Sequence, residues 1–139
     1  SDLRFGSLLV PAACFGLGVS LVMAPVPALA HHSFAAEFDR DQPVELTGAV
    51  TRVEWLNPHA RFYIDVEDEN GNVTNWNLEI ASPNLLRRFG WNRNSLQPGD
   101  EVTVEAFLAR DGTNMANTST VKLADGTRIF ARDPADLAR

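Results

Sequence analysis

Cysteine is almost missing. The single one, Cys14, lies in an apolar leader, and no other occurs in 139 residues. Beyond that leader no disulfide can form, and no thiolate can act as nucleophile or metal ligand. Positive charge is scarce too: 12 Lys and Arg stand against 18 Asp and Glu, a net charge of −6. Affinity for nucleic acid depends on neutralising phosphates, so an acidic chain is a poor partner for it. Only three histidines occur. Without an H-x-x-x-H spacing or paired cysteines, a tightly spaced zinc centre is not expected. Ser33 lacks the context of a nucleophile elbow. Asp65, Glu67, Asp68 and Glu69 do not follow a calcium-loop spacing and read as a solvated hairpin turn. Glu37, Asp39 and Asp41 read as a solvated acidic arm. Internal repeats and low-complexity segments are absent. These absences together lead us to expect no enzyme.

One long apolar run is present. From Phe5 to Ala30 there is no charge, and Arg4 stands just ahead. Pro25 and Pro27 break the run, and Ala28-Leu29-Ala30 supplies a small-x-small site. A basic start, an apolar middle and an A-x-A site make residues 1–30 a secretory signal peptide, cleaved after Ala30. The protein is then periplasmic or secreted. The alternative is an uncleaved anchor, since the run is long enough to span a bilayer with some tilt; only in that case is a membrane a partner. Pro11-Ala12-Ala13-Cys14 is not a lipoprotein site, because too little apolar sequence precedes it.

The remaining chain divides into an arm (31–43), a β domain (44–132) and a tail (133–139). About a hundred residues can supply one hydrophobic core. Val44, Leu46, Gly48 and Val50 alternate with Glu45, Thr47 and Ala49, the period of a half-buried strand. The apolar phase then shifts to Val53 and Trp55, which calls for a bulge or bend near Gly48–Arg52. Leu56-Asn57-Pro58-His59 is a turn. Phe62, Ile64 and Val66 mark a second strand, and Asp68 to Gly71 close a hairpin onto Thr74, Trp76, Leu78 and Ile80. Ser82-Pro83 opens a short helix with Leu85, Leu86 and Phe89 on its apolar side, and Gly90 ends it. Val102 to Leu108 form a fourth strand. The polar loop Arg110 to Asn117 leads to Val121 and Leu123, and Asp125-Gly126 turns the chain before Ile129 and Phe130. The order is that of an all-β, five-stranded OB-like barrel with its helix between strands three and four. An open antiparallel sheet with one covering helix is the alternative. A closed barrel buries Val50, Ile64, Leu78, Val104 and Val121, with Leu85 and Phe89 plugging one end.

The segments HHSFAAEFD, VEWLNPHA, VTNWNLE, SLQPGDEVTVEA and VKLADGTRIFA resemble a family of small exported bacterial proteins of unknown function, DUF6152. The likeness covers nearly the whole chain beyond the leader. It implies a secreted, barrel-like domain, and it implies no activity.

Cleavage after Ala30 makes His31 the new terminus. Its α-amine, which titrates at about 8, and its imidazole can chelate one metal ion together. His32 adds a second imidazole and an amide nitrogen. Nitrogen ligands of this kind favour Cu(II) among the common divalent ions. His59 lies in the loop between strands one and two, and Met115 in the loop between strands four and five. In an OB barrel these loops share one end, so both residues are expected at the same copper site, with the arm folded over it. A Met ligand would favour Cu(I). Trp55, Phe62 and Trp76 suggest a second possibility, a barrel face that binds an envelope protein or a small ligand without metal. Core packing is the competing explanation for the tryptophans, with Trp91 sealing the barrel end. Glu54 and Glu79 stand near tryptophans, where a carboxylate can be partly buried.

Overall fold

The computed structural model describes residues 34–133. The leader 1–30, His31, His32 and tail residues 134–139 lie outside the described residues. The described chain runs α1 (Phe34–Glu37), β1 (Phe38–Glu54), β2 (Arg61–Glu67), β3 (Val73–Glu79), α2 (Pro83–Arg88), β4 (Glu101–Ala109), β5 (Met115–Leu123) and β6 (Arg128–Phe130). The six strands pair in the order β3-β2-β1-β4-β5-β6, and β3 also pairs with β5. That extra pairing closes β1, β2, β3, β5 and β4 into a ring, with the helix α2 between β3 and β4 as expected. The sixth strand was not anticipated as such. Ile129 and Phe130 belong to a three-residue strand laid along β5, with Thr120 opposite Phe130.

The first strand starts earlier than the sequence pattern suggests. Phe38 pairs with Ala109 on β4 and is fully buried, so half of the expected 31–43 arm is strand. The register slips between Phe38 and Pro43. Proline has no N–H for the ladder, so the polar residues 39–42 are displaced as an irregularity instead of alternating regularly. That irregularity hides the strand from a periodicity argument.

The bend expected near Gly48–Arg52 is present as a register shift between Val50 and Arg52. Gly48 permits it. A Cβ at this position would stand 2.1 Å from the Asp65 carbonyl oxygen, so any side chain would push β2 away. The core holds Val50, Phe62, Ile64, Leu78, Val104 and Val121, each at most 2% exposed.

In α2 the plug is Leu86, and Leu85 is only half-buried. Ser82 caps the helix, its Oγ accepting from the Leu85 amide at 3.3 Å, and Pro83 occupies the first turn. Pro83, Leu86 and Phe89 recur every three residues and share the inward face. Leu85 sits a third of a turn away. Trp91 seals the end beside α2, its Nε1 donating to the Phe130 carbonyl at 2.8 Å.

Candidate functional site

Three strands meet on one carboxylate. Glu79 is the last residue of β3. It lies opposite Arg61 in the antiparallel β2–β3 ladder and beside Asn117 in the parallel β3–β5 seam. Strand alternation sends Leu78 into the core and turns Glu79 away from it, yet Glu79 is only 3% exposed. A carboxylate this deeply buried needs a charge partner and filled lone pairs. Arg61 Nη2 donates to Oε2 at 2.6 Å, and Asn117 Nδ2 donates to Oε1 at 3.2 Å. His59 Nδ1 lies 3.1 Å from the same Oε1.

His59 is delivered there by backbone pairing. The Ala60 amide donates to the Ala81 carbonyl at 3.1 Å, and the Ile80 amide to the Ala60 carbonyl at 3.0 Å. The β1–β2 turn is thereby stitched to the end of β3. An ionised carboxylate only accepts, so a proton shared in this contact belongs to Nδ1, and Nε2 is the nitrogen that Glu79 does not engage. The His59 side chain is 48% exposed, so solvent can reach that ring. A histidine whose second nitrogen is held by a carboxylate is the usual arrangement behind a metal ligand.

The arm supplies the facing wall. A cavity of about 270 Å³ is lined by His59, Glu79, Asn117, Phe34, Phe38 and Arg132, among others. Phe34 is fixed there by packing. Its ring stacks on Phe38 at 5.6 Å, meets Phe107 edge-on at 5.8 Å, and lies under the Arg132 guanidinium at 3.8 Å. Arg110 then ties the next residues down. Its amide donates to the Glu37 carbonyl and its Nε to the Ala35 carbonyl, each at 2.9 Å, and Nη1 pairs with Asp39 at 3.2 Å. The anchoring therefore begins at Phe34, three positions after His31.

The expected copper residues fare differently. His31 and His32 lie outside the described residues. His59 stands at the cavity with its Nε2 uncommitted to Glu79. Met115 does not join it. This residue opens β5, and its sulfur accepts from Arg61 Nη1 at 3.5 Å. The contact chain runs from Met115 through Arg61 and Glu79 to His59, so a guanidinium charge lies between the sulfur and the ring and disfavours a metal cation beside that sulfur. Among the described residues, no three His, Cys, Asp or Glu side chains gather at a metal-holding spacing.

The tryptophan face is also corrected. Phe62 is fully buried, and Trp76 lies opposite buried Ile64, hence on the inward face. Trp55 packs half-buried against the same core. Phe62 therefore has no outer face, whereas Trp55 and Trp76 stay partly exposed while packing against the core.

Sequence reasoning missed Arg61, Asn117 and Phe34, and it gave Glu79 no role. A signal did exist at Glu79. An acid between Leu78 and Ile80, ending an apolar strand, must either face water or find a cation.

Comparison with curated proteins gives no match. Among solved structures, the mitochondrial single-stranded DNA-binding protein Rim1 of S. cerevisiae is similar at a TM-score of 0.47 and 13% identity, over 63% of this chain and 94% of that one. The sequence comparison is more specific: the model of a family of unknown function, DUF6152, matches residues 19–118, and the chain belongs to that family.

Proposed function

We propose that this protein is an exported, non-enzymatic binding module that takes up one copper(II) ion between its mature N-terminal histidine and His59. The observation that carries the reading is the 3.1 Å pairing of His59 Nδ1 with buried Glu79, at a residue that also lines a cavity walled by the start of the anchored arm. His31 supplies its α-amine and imidazole as a chelate, His32 is a further nitrogen donor, and His59 completes the set. Amine and imidazole nitrogens rank copper(II) above zinc. Periplasmic or secreted placement follows from the leader and belongs to the same proposal.

The test uses the exported protein, its intact mass and a metal titration. The mass should place the terminus at His31, and one Cu(II) should bind in preference to Zn(II). A single alanine added before His31 separates the amine from the imidazole and breaks the chelate ring. That change should weaken Cu(II) binding by about a hundredfold, the scale of lost effective concentration, and His59→Ala should weaken it less. Equal binding by native and extended termini, or a terminus elsewhere, overturns the reading.

A further inference from the structure

The last part of β1 has a neighbour on one edge only. β4 pairs with this strand from Phe38 to Ala49 and no further. Val50 still uses that side, its amide donating to the Asp100 carbonyl at 2.8 Å and its carbonyl accepting from the Gly99 amide at 2.7 Å. Beyond Val50 only β2 runs alongside, opposite Arg52, Val53 and Glu54. Backbone groups of successive strand residues point to opposite edges. Just before β2, Ala60 gives its amide and carbonyl to Ala81 and Ile80, so Phe62, two positions on, also turns toward β3. Val53 stands opposite Phe62. It therefore turns its N–H and C=O away from β2, toward the edge that β4 has left. The bulge makes this possible: without the extra residue Thr51, Val50 and Val53 would face opposite edges. Neither backbone group of Val53 finds a partner among the described residues.

A groove of about 610 Å³ opens at this edge. Residues 51–56 form one wall, and residues between Arg93 and Pro98 of the α2–β4 loop form the other. Apolar surface lies along it: Trp55 is half-buried, and Leu56 is 61% exposed. The charges differ in their commitments. Arg52 pairs with Glu54 at 3.2 Å and lies over the Tyr63 ring. Arg93 has no hydrogen bond or ion pair among the described residues. We infer that this groove binds an extended peptide carrying a carboxylate, added as a short strand beside Val53. An extended backbone supplies the acceptor and donor that the Val53 edge lacks. Its apolar side chains meet Trp55 and Leu56, and its carboxylate meets Arg93 in a charge-assisted bond. The groove shares no lining residue with the cavity at His59, so it is independent of the copper reading.

The full, metal-free protein is tested against a random linear hexapeptide library. Selection should enrich peptides that alternate apolar residues and carry Asp, Glu or a free C-terminal carboxylate. A synthetic copy of the enriched peptide, titrated into the 15N-labelled protein, should move the Val53 amide proton downfield and shift the Trp55 indole signal. Arg93→Glu should weaken that peptide by at least about tenfold, the scale of a lost bond to a charged group, and leave the melt unchanged. If the melt does change, Arg93→Gln takes its place. N-acetylaspartate at the same concentration should leave Val53 unmoved. The inference is overturned if no peptide is enriched, if the enriched peptides lack a carboxylate, or if the Val53 amide does not respond. It is equally overturned if the Arg93 variant binds like the unmodified protein, or if N-acetylaspartate shifts Val53 as strongly as the peptide does, since the ligand is then a small acid.

Discussion

Two carboxylates brace β5 from neighbouring strands, and they do so with the same chemistry under different solvent. Glu105 on β4 accepts from Thr120 Oγ1 at 2.6 Å and from Arg128 Nη2 at 2.7 and 2.8 Å. Glu79 on β3 accepts from Arg61 and Asn117 and sits against His59. The Glu105 side chain is 47% exposed, and its Arg128 partner 57%. Glu79 is sealed at 3%. Water can replace every partner of Glu105, so that cluster costs little to lose. Burial makes the partners of Glu79 hard to replace, so losing one of them costs more. A site built on Glu79 is therefore stiff, and one built on Glu105 would not be.

The largest expected effect breaks the buried side of this comparison. Glu79→Ala leaves Arg61, whose side chain is 28% exposed, without its carboxylate. Breaking a buried pair from one side costs about 3–5 kcal/mol. For a domain of this size, urea or thermal melts should show a drop in Tm of more than about 12 °C. A melt within two or three degrees of the parent, on the order of the experimental scatter for a surface change, would mean that Glu79 is solvated.

Glu105→Ala is the smaller counterpart. An exposed ion pair is worth about 0–1 kcal/mol, so the same melt should move by a few degrees at most. Added salt should shrink that difference, because exposed pairs are screened. A loss as large as that of Glu79→Ala would erase the distinction between the two clusters.

The subtlest effect sharpens the comparison through pH. The Thr120 hydroxyl, and after it Arg128, hold the Glu105 carboxyl below its ordinary value of 4.5. A carboxyl lowered by folding stabilises the fold above the unfolded value and loses that contribution as pH falls through the folded one. Glu105→Gln should therefore lose that small contribution at neutral pH, flatten part of the stability curve below about pH 4.5 and converge on the parent in acid. Asp68, Asp111 and Asp125 are lowered as well by bonds from residues in their own turns, and Asp39 by the Asp41 amide, Gln42 and Arg110. Some acid lability should thus persist in the variant. A Glu105→Gln curve that superimposes on the parent's at every pH contradicts this assignment.

The strand faces were legible because burial imposes a period of two. Val50, Ile64, Leu78, Val104 and Val121 are inside, as alternation requires, and the bend at Gly48–Arg52 showed as a phase shift. Capping chemistry located α2, but its inward residue came out one position off. A six-residue helix has too few apolar positions to define its face. The start of β1 was not legible, because Pro43 and the displaced residues 39–42 interrupt the alternation. At the site, His59 could be picked out because histidine is rare in this chain. Its partners could not. Arg61, Glu79 and Asn117 are ordinary strand residues that become a cluster only when β3 meets β5, and no local pattern encodes that meeting. Met115 was placed at the right end of the barrel, but the guanidinium between it and His59 comes from a strand distant in sequence. Phe62 and Trp76 share the alternation of Ile64 and Leu78, so the same period that places the core also places Phe62 inside.

The short parallel seam also orders the folding of the chain. The β2–β3 hairpin joins residues close in sequence and can form early, whereas Glu79 must wait for Asn117, about forty positions later, with a helix and a full strand in between. Loop closure has to be met before such distant contacts reward it, which is why non-local pairing slows folding. Ring closure is thus expected to come last on the way in and to fail first on the way out. The exposed loop at 110–114, which precedes the seam on β5, is where a protease should make its first cut within the domain.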